Sequence, residues 1–180
     1  MMRAIITPPD LSGALDDLKR WLAISSGAED AALGGLLGAA LEACEGFTGL
    51  LPLAAECEEV LPARTGWHAL ATRPVTAITQ IEGIPAEGPR FALAVDAYAI
   101  DLGAEGSGRV RTIRQGAAGR IAVRFTAGLS PQWSALPESL RHGTIRLAAE
   151  LHRARDGAQD TTPPAAVAAL WRPWRRMRLA

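Results

Sequence analysis

Leucines near the start of the chain recur at helical spacing. Leu11, Leu15, Leu18 and Leu22 stand four, three and four residues apart with Trp21 beside them, which predicts a short helix over residues 11–23. Asp10 or Ser12 can cap it, and Asp16 and Asp17 suit its dipole. Ser25-Ser26-Gly27 then breaks the pattern. A longer stripe follows, with Leu33, Leu36, Leu37, Ala40, Leu41, Cys44 and Phe47 on one face of a second helix. Ser26 with Glu29 three residues on reads as a capping box, and Gly49 and Pro52 as the stop. Gly34, Gly35 and Gly38 are each unfavourable inside a helix by about 1 kcal/mol relative to Ala, which predicts close approach of another backbone there.

Between Glu56 and Thr126 the period changes from helical to alternating, and Gly or Pro punctuates the chain every eight to twelve residues. Strands are predicted over 57–61, 67–71, 75–82, 98–102, 110–113 and 121–126. Ile121, Val123 and Phe125 alternate with Arg120, Ala122 and Arg124, as in a half-buried strand, whereas residues 75–82 alternate imperfectly. Gly106-Ser107-Gly108 and residues 116–119 are the turns. A third helix opens near Pro137 and runs to about Arg155, with Leu140, Thr144, Leu147, Ala148 and Leu151 as its stripe and Ile145 widening it. Residues 156–164 form a polar, Pro-ended linker. Beyond it Val167, Leu170, Trp171, Trp174 and Leu179 stand among Arg172, Arg175, Arg176 and Arg178 with no acid.

Composition sharpens this picture in two ways. Apolar residues make up 48% of the 180, but alanine inflates the figure and only nine residues are aromatic, so a folded chain with a modest core is expected. Formal charge sums to zero, which removes global charge as an argument for nucleic-acid binding. Its distribution is uneven: residues 1–60 hold ten acids and three bases, residues 61–180 nine acids and sixteen bases. Copies of such a chain can attract one another. No run of apolar residues reaches the eighteen or so of a membrane span, and the N-terminus is too short for a secretory signal, so a soluble chain made in the cytoplasm, without a membrane partner, is expected.

Candidate chemistry is sparse. Cys44 and Cys57 fit no CxxC or Cys/His metal spacing; Cys44 lies on an apolar helical face, where a free thiol behaves as a small hydrophobe. His68, His142 and His152 are too scattered to hold a metal, no GxSxG elbow or GK[ST] loop is present, and the acidic pairs 16–17 and 58–59 read as solvated charge. No catalytic residue, cofactor or metal is assigned, and the chain is read as a non-enzyme. Only the C-terminal segment calls for a partner. Two tryptophans and four arginines within ten residues, after a linker, have the composition of an interface hot spot, so a docking peptide is inferred. Folding back of Trp171 and Trp174 onto their own domain is the alternative, and a basic tail for a membrane surface or nucleic acid is a third reading.

Several segments, in their order and spacing, resemble the head-tail connector (adaptor) proteins of long-tailed bacteriophages and of phage-like gene transfer agents. They are Glu29-Asp30-Ala31-Ala32-Leu33 through Ala43-Cys44-Glu45-Gly46-Phe47-Thr48-Gly49, Arg73-Pro74-Val75-Thr76-Ala77-Ile78, Phe125-Thr126-Ala127-Gly128, Leu136-Pro137-Glu138-Ser139-Leu140-Arg141, and residues 169–179. The resemblance covers nearly the whole chain. It implies a structural ring protein of twelve copies, assembled in a bacterial cytoplasm, that joins the portal to a tail-side stopper or head-completion protein at the head-tail junction. A DNA channel would run through the ring without sequence-specific binding, and a C-terminal arm would reach into the portal.

The expected fold is α+β and mainly α: a bundle of about three helices with a β-rich antiparallel insertion and an extended or helical C-terminal arm. Its parts are residues 1–55 (helical), 56–128 (β-rich insertion), 129–156 (helix completing the core) and 157–180 (linker and docking arm). Leu170, Trp171, Arg172, Trp174, Arg175, Arg176 and Arg178 are the expected portal contacts. Arg109, Arg111, Arg114, Arg120 and Arg124 are assigned to the channel or the ring interfaces. In a competing reading, a DNA-binding or packaging accessory module, those same five arginines would carry the binding.

Overall fold

In a computed structural model, which describes residues 3–154 and 163–176, the chain divides into two compact units, with one inserted into the sequence of the other. The first comprises the N-terminal strand and residues 54–128; the second comprises residues 9–53 and the chain from Leu129 onward. Helix accounts for 37% and strand for 30%, so the fold is α+β, and the expected helical emphasis is corrected to an even division. No described helix is long and apolar enough to cross a membrane.

Eight strands build the first unit, all pairing antiparallel: β1 (Arg3–Thr7), β2 (Ala55–Pro62), β3 (His68–Ala69), β4 (Val75–Pro85), β5 (Phe91–Ala92), β6 (Tyr98–Leu102), β7 (Gly108–Thr112) and β8 (Ala118–Ala127). They form a five-stranded sheet ordered β1-β2-β8-β4-β5 and a three-stranded sheet ordered β3-β7-β6. Ile121, Val123 and Phe125 point into the interior as their alternation requires. The imperfect alternation along β4 has a cause: its register against β8 shifts at 75–77 and again at 78–80, and each bulge reverses which residues face inward. β1 went unpredicted, in a stretch assigned from sequence to the helical part; it pairs with β2 across some fifty residues of sequence.

Two carboxylates on β2 organise this unit. Glu59 is fully buried and accepts the Ala71 N–H (2.9 Å), the Thr72 N–H (2.9 Å) and the Thr72 hydroxyl (2.8 Å), which ties the 64–74 loop to the sheet. Glu58, its neighbour, accepts from Arg90 Nη1 (2.9 Å) and Arg124 Nε (3.1 Å). Burial alone would raise the Glu58 pKa, but the hydrogen bonds and charges of Arg90 and Arg124 outweigh it and hold the carboxyl below its ordinary value of 4.5.

The second unit contains α1 (Ser12–Leu22), α2 (Asp30–Thr48), α3 (Glu138–Arg153) and α4 (Ala165–Trp171), the last a helix that the sequence pattern did not resolve from the arm. Here α3 packs against α1, α2 and α4, which is why it buries Gly143 and Ala149 in addition to its predicted stripe and Ile145. Leu18, Leu33, Leu37, Ala40, Cys44, Leu140, Ala148, Val167 and Trp171 meet in its core. Cys44 and Cys57 are both free and buried, and burial pushes the Cys44 thiol up to about 12.

Three local expectations for this unit need correction. The capping box at Ser26 does not form: Glu29 occupies the N-cap position of α2 without a side-chain cap and its carboxylate instead meets His152 Nε2 (3.3 Å). Asp10 does take a first-turn N–H, that of Ser12 (2.9 Å), but Asp17 is bound by Arg20 (2.7 Å) and by the Trp133 indole N–H (2.8 Å) rather than standing at the start of α1. Finally, Gly34, Gly35 and Gly38 face open space, with no backbone near them. Gly49 closes α2 as expected, in the left-handed conformation (φ 75°), with its N–H on Glu45 O (2.7 Å).

The close approach that the sequence placed on α2 occurs on α3. A side chain at Gly143 would overlap the Trp171 indole, with the added carbon 2.8 Å from Cδ1. Gly143→Ala should therefore displace the indole and cost about 1–3 kcal/mol, read as a lower Tm and a red-shifted tryptophan emission. Glu59→Ala should cost about 3 kcal/mol in urea unfolding because three donors lose their acceptor, and Glu59→Gln, which keeps one acceptor oxygen, should cost less. Because the folded Glu58 carboxyl binds protons less readily than the unfolded one, its contribution is complete above pH 4.5 and is lost as pH falls through the depressed folded value. Stability measured from pH 6 down to 3 should fall along this limb, and Arg124→Gln should make it shallower.

Candidate functional site

The sequence directs attention to two sets of residues, the C-terminal arm in the second unit and the arginines of the first. The arm begins at Pro164, whose extended conformation (ψ 148°) starts α4, and continues past Trp171 as a short 3-10 turn, Arg172–Trp174. Val167 and Trp171, four residues apart, point inward together and are fully buried. The Trp171 ring lies 6.0 Å from that of Phe47 on α2, centroid to centroid, and rests against Gly143 on α3. Trp174 is half-buried, and its indole N–H donates to Ser139 Oγ (2.9 Å). The Arg176 N–H reaches Thr48 O (3.0 Å), so the arm is tied to the end of α2 as well.

The expected free docking peptide is thus corrected to its alternative: both indoles fold back onto their own unit. The reason is apolar area. An indole of about 200 Å² removed from water is worth roughly 5 kcal/mol, more than enough to hold a seven-residue helix that could not persist alone. What the arm leaves on its outer side is cationic. Arg172 and Arg175 are exposed, and Arg175 also lies over the Phe47 ring at 5.4 Å; Leu170 is half-buried between them and the core. Arg178 falls outside the described residues.

The five arginines of the first unit do not form one constellation. Arg109 and Arg111 share the outer face of β7 and flank the exposed Trp67 ring at 5.8 and 5.0 Å, while Arg109 Nε also donates to Asp101 (2.9 Å). Arg114 is ion-paired with Asp96, and Arg124 with Glu58. Arg120 is exposed on β8, at the edge of an open hollow of about 400 Å³ lined by residues 84–86 and 115–120. Three of the five guanidiniums are therefore neutralised within the chain, which leaves little of the array available to phosphates. Trp67 was missed from sequence as a surface residue, and no local pattern marks it, since its exposure follows from the pairing of β3 with β7.

A shallow groove of about 290 Å³ lies between α1 and α3, lined by Asp17, Arg20, Trp21, Glu138, Arg141, His142 and Ile145, with Trp21 edge-on to His142. It brings together charged groups but no nucleophile held by a base. Among the described residues no three of His, Cys, Asp and Glu converge as a metal site. What these surfaces present is exposed guanidinium groups and indole edges, a composition found at macromolecular contacts.

Comparison with known proteins agrees with that reading. No protein-family model matches the chain, and neither does any curated protein. Solved structures do. One, from the "Neck of empty GTA particle computed with C6 symmetry", is 27% identical with a TM-score of 0.76. A second, from the "Neck of native GTA particle computed with C12 symmetry", is 28% identical with a TM-score of 0.75, and a third, from the "Virion of native gene transfer agent (GTA) particle", is 29% identical with a TM-score of 0.73. Each match spans 100% of this chain and 98% of the other. Both units and the arm are thus included, in the order that the sequence resemblance required, and the chain is similar over its full length to structural neck components of gene transfer agent particles, which supports the head-tail connector resemblance.

Proposed function

We propose that the chain is the adaptor of the particle neck: a homo-oligomeric ring that joins the portal to the tail-side protein and encloses a channel for DNA. One observation carries this reading. A fold of two units plus an arm is matched over its full length by proteins solved in neck assemblies of cyclic symmetry. Ion pairing of Arg109, Arg114 and Arg124 within the chain favours the adaptor over a DNA-binding module, because a channel wall needs no tight phosphate grip.

The portal contact is assigned to the outer side of the arm. Arg172 and Arg175 meet acidic or carbonyl groups of the portal, with Leu170 and the exposed edge of Trp174 beside them, while Val167 and Trp171 hold the arm in place from within. This division separates two classes of variant. Arg172→Glu with Arg175→Glu should leave the unfolding free energy within about 0.5 kcal/mol of the parent's yet weaken portal binding at least ~30-fold, as expected for about 2 kcal/mol of like-charge contact. Particles produced without the chain should accumulate as filled heads lacking tails in electron micrographs. Normal tail attachment in its absence would refute the adaptor role.

A further inference from the structure

The two sheets of the first unit have four edges, and these are of two kinds. At one end of each sheet stands a strand of two residues, β5 (Phe91–Ala92) or β3 (His68–Ala69). Strands this short offer little main chain to a partner, and Phe91 further closes its edge by lying over Gly83. The opposite edges, β1 and β6, are five residues long each. Among the described residues no strand lies beyond either of them.

Both long edges carry exposed aliphatic side chains, although β1 is interrupted by a bulge between Ile5 and Thr7. In β1, Ile5 and Ile6 are 44% and 46% exposed. In β6, Ile100 and Leu102 are 39% and 45% exposed. Each strand carries one charged residue, Arg3 on β1 and Asp101 on β6, and Asp101 is ion-paired within its own sheet to Arg109 of β7. An open, β-branched edge is a template for strand addition, and a protein that left two of them uncovered would aggregate.

We propose that β1 of one copy pairs with β6 of the next copy, main chain to main chain, and that this contact repeats around the ring. The proposal rests on the reading of the chain as a ring protein. Every copy offers one edge of each kind and the two differ in sequence, so the contact is heterologous, which is what a cyclic assembly requires. The matching proteins come from assemblies computed with six-fold and twelve-fold symmetry. Pairing covers exposed aliphatic side chains on both strands and satisfies their outward main-chain groups. Two β1 strands, or two β6 strands, would instead close a dimer.

Cross-linking in assembled particles tests this. The native thiols Cys44 and Cys57 are buried, so a cysteine pair placed on the two strands reports alone. Particles built with Ile6→Cys/Ile100→Cys, treated with a short bis-maleimide that tolerates a shift of register, should give a ladder of multimers in steps of 19.0 kDa. Either single variant should give none, which also separates β1–β6 pairing from β1–β1 or β6–β6 pairing. Ile5→Cys/Ala99→Cys, also central on both strands, provides a second pair in case one position disturbs assembly. Absence of a ladder from both pairs, in particles whose necks contain the chain, overturns the strand pairing and leaves the ring reading intact. Necks that lack the wild-type chain overturn both.

Discussion

The second unit depends on a single missing side chain. At residue 143 the surface of α3 is flat enough to receive the face of an indole, and Trp171 lies there with Phe47 of α2 on its other flank. A helix as short as α4 has no stability of its own, so its position is set by what Val167 and Trp171 bury. Everything that follows it, the 3-10 turn, the Trp174–Ser139 hydrogen bond and the Arg176–Thr48 main-chain contact, is held in register from that anchor. The core of this unit is therefore completed by the end of the chain rather than by its first three helices.

In the first unit the comparable constraint is polar. Glu59 buries a carboxylate at the centre of β2 and compensates it with three donors from the Ala71–Thr72 segment. A buried carboxylate without such donors would be strongly disfavoured, so the loop and the strand must fold together. Glu58, also buried, performs a related task, gathering Arg90 and Arg124 from two other segments. Charge in this unit is thus largely consumed inside the chain, and the surface left over at β1 and β6 is apolar.

What the sequence made legible was set by the range of the interactions. Turns flank β6 closely and residues 121–126 alternate cleanly, so those strands were readable from local pattern, as were the stripe of α2 and its Gly49 stop. β1 was not, because its partner lies some fifty residues away and nothing in Arg3–Thr7 names it. The glycines illustrate the same limit. Gly34, Gly35 and Gly38 advertised a close contact and have none, while Gly143, a lone glycine in a well-formed helix, has one of the closest. Composition marked the C-terminal segment correctly as unlike the rest of the chain. It could not tell inward from outward, because that depends on whether the facing helix carries a Cβ.

Partition of the arm into an inner and an outer side bears on how a partner can use it. Residues 167 and 171 are spaced to face α3 together, which turns Arg172 and Arg175 outward whatever else is bound. A partner that engages the folded arm meets guanidinium groups and the edge of Trp174 without moving anything. A partner that engages Trp171 must first lift α4 from its seat and give up roughly 5 kcal/mol of apolar burial, between three and four decades of affinity, before any new contact counts. Only a pocket that covers the indole at least as completely as Gly143 and Phe47 do could offset that loss. Docking onto the arm as it stands is the lower-energy route, and it makes the arginines, rather than the tryptophans, the first residues a portal would read.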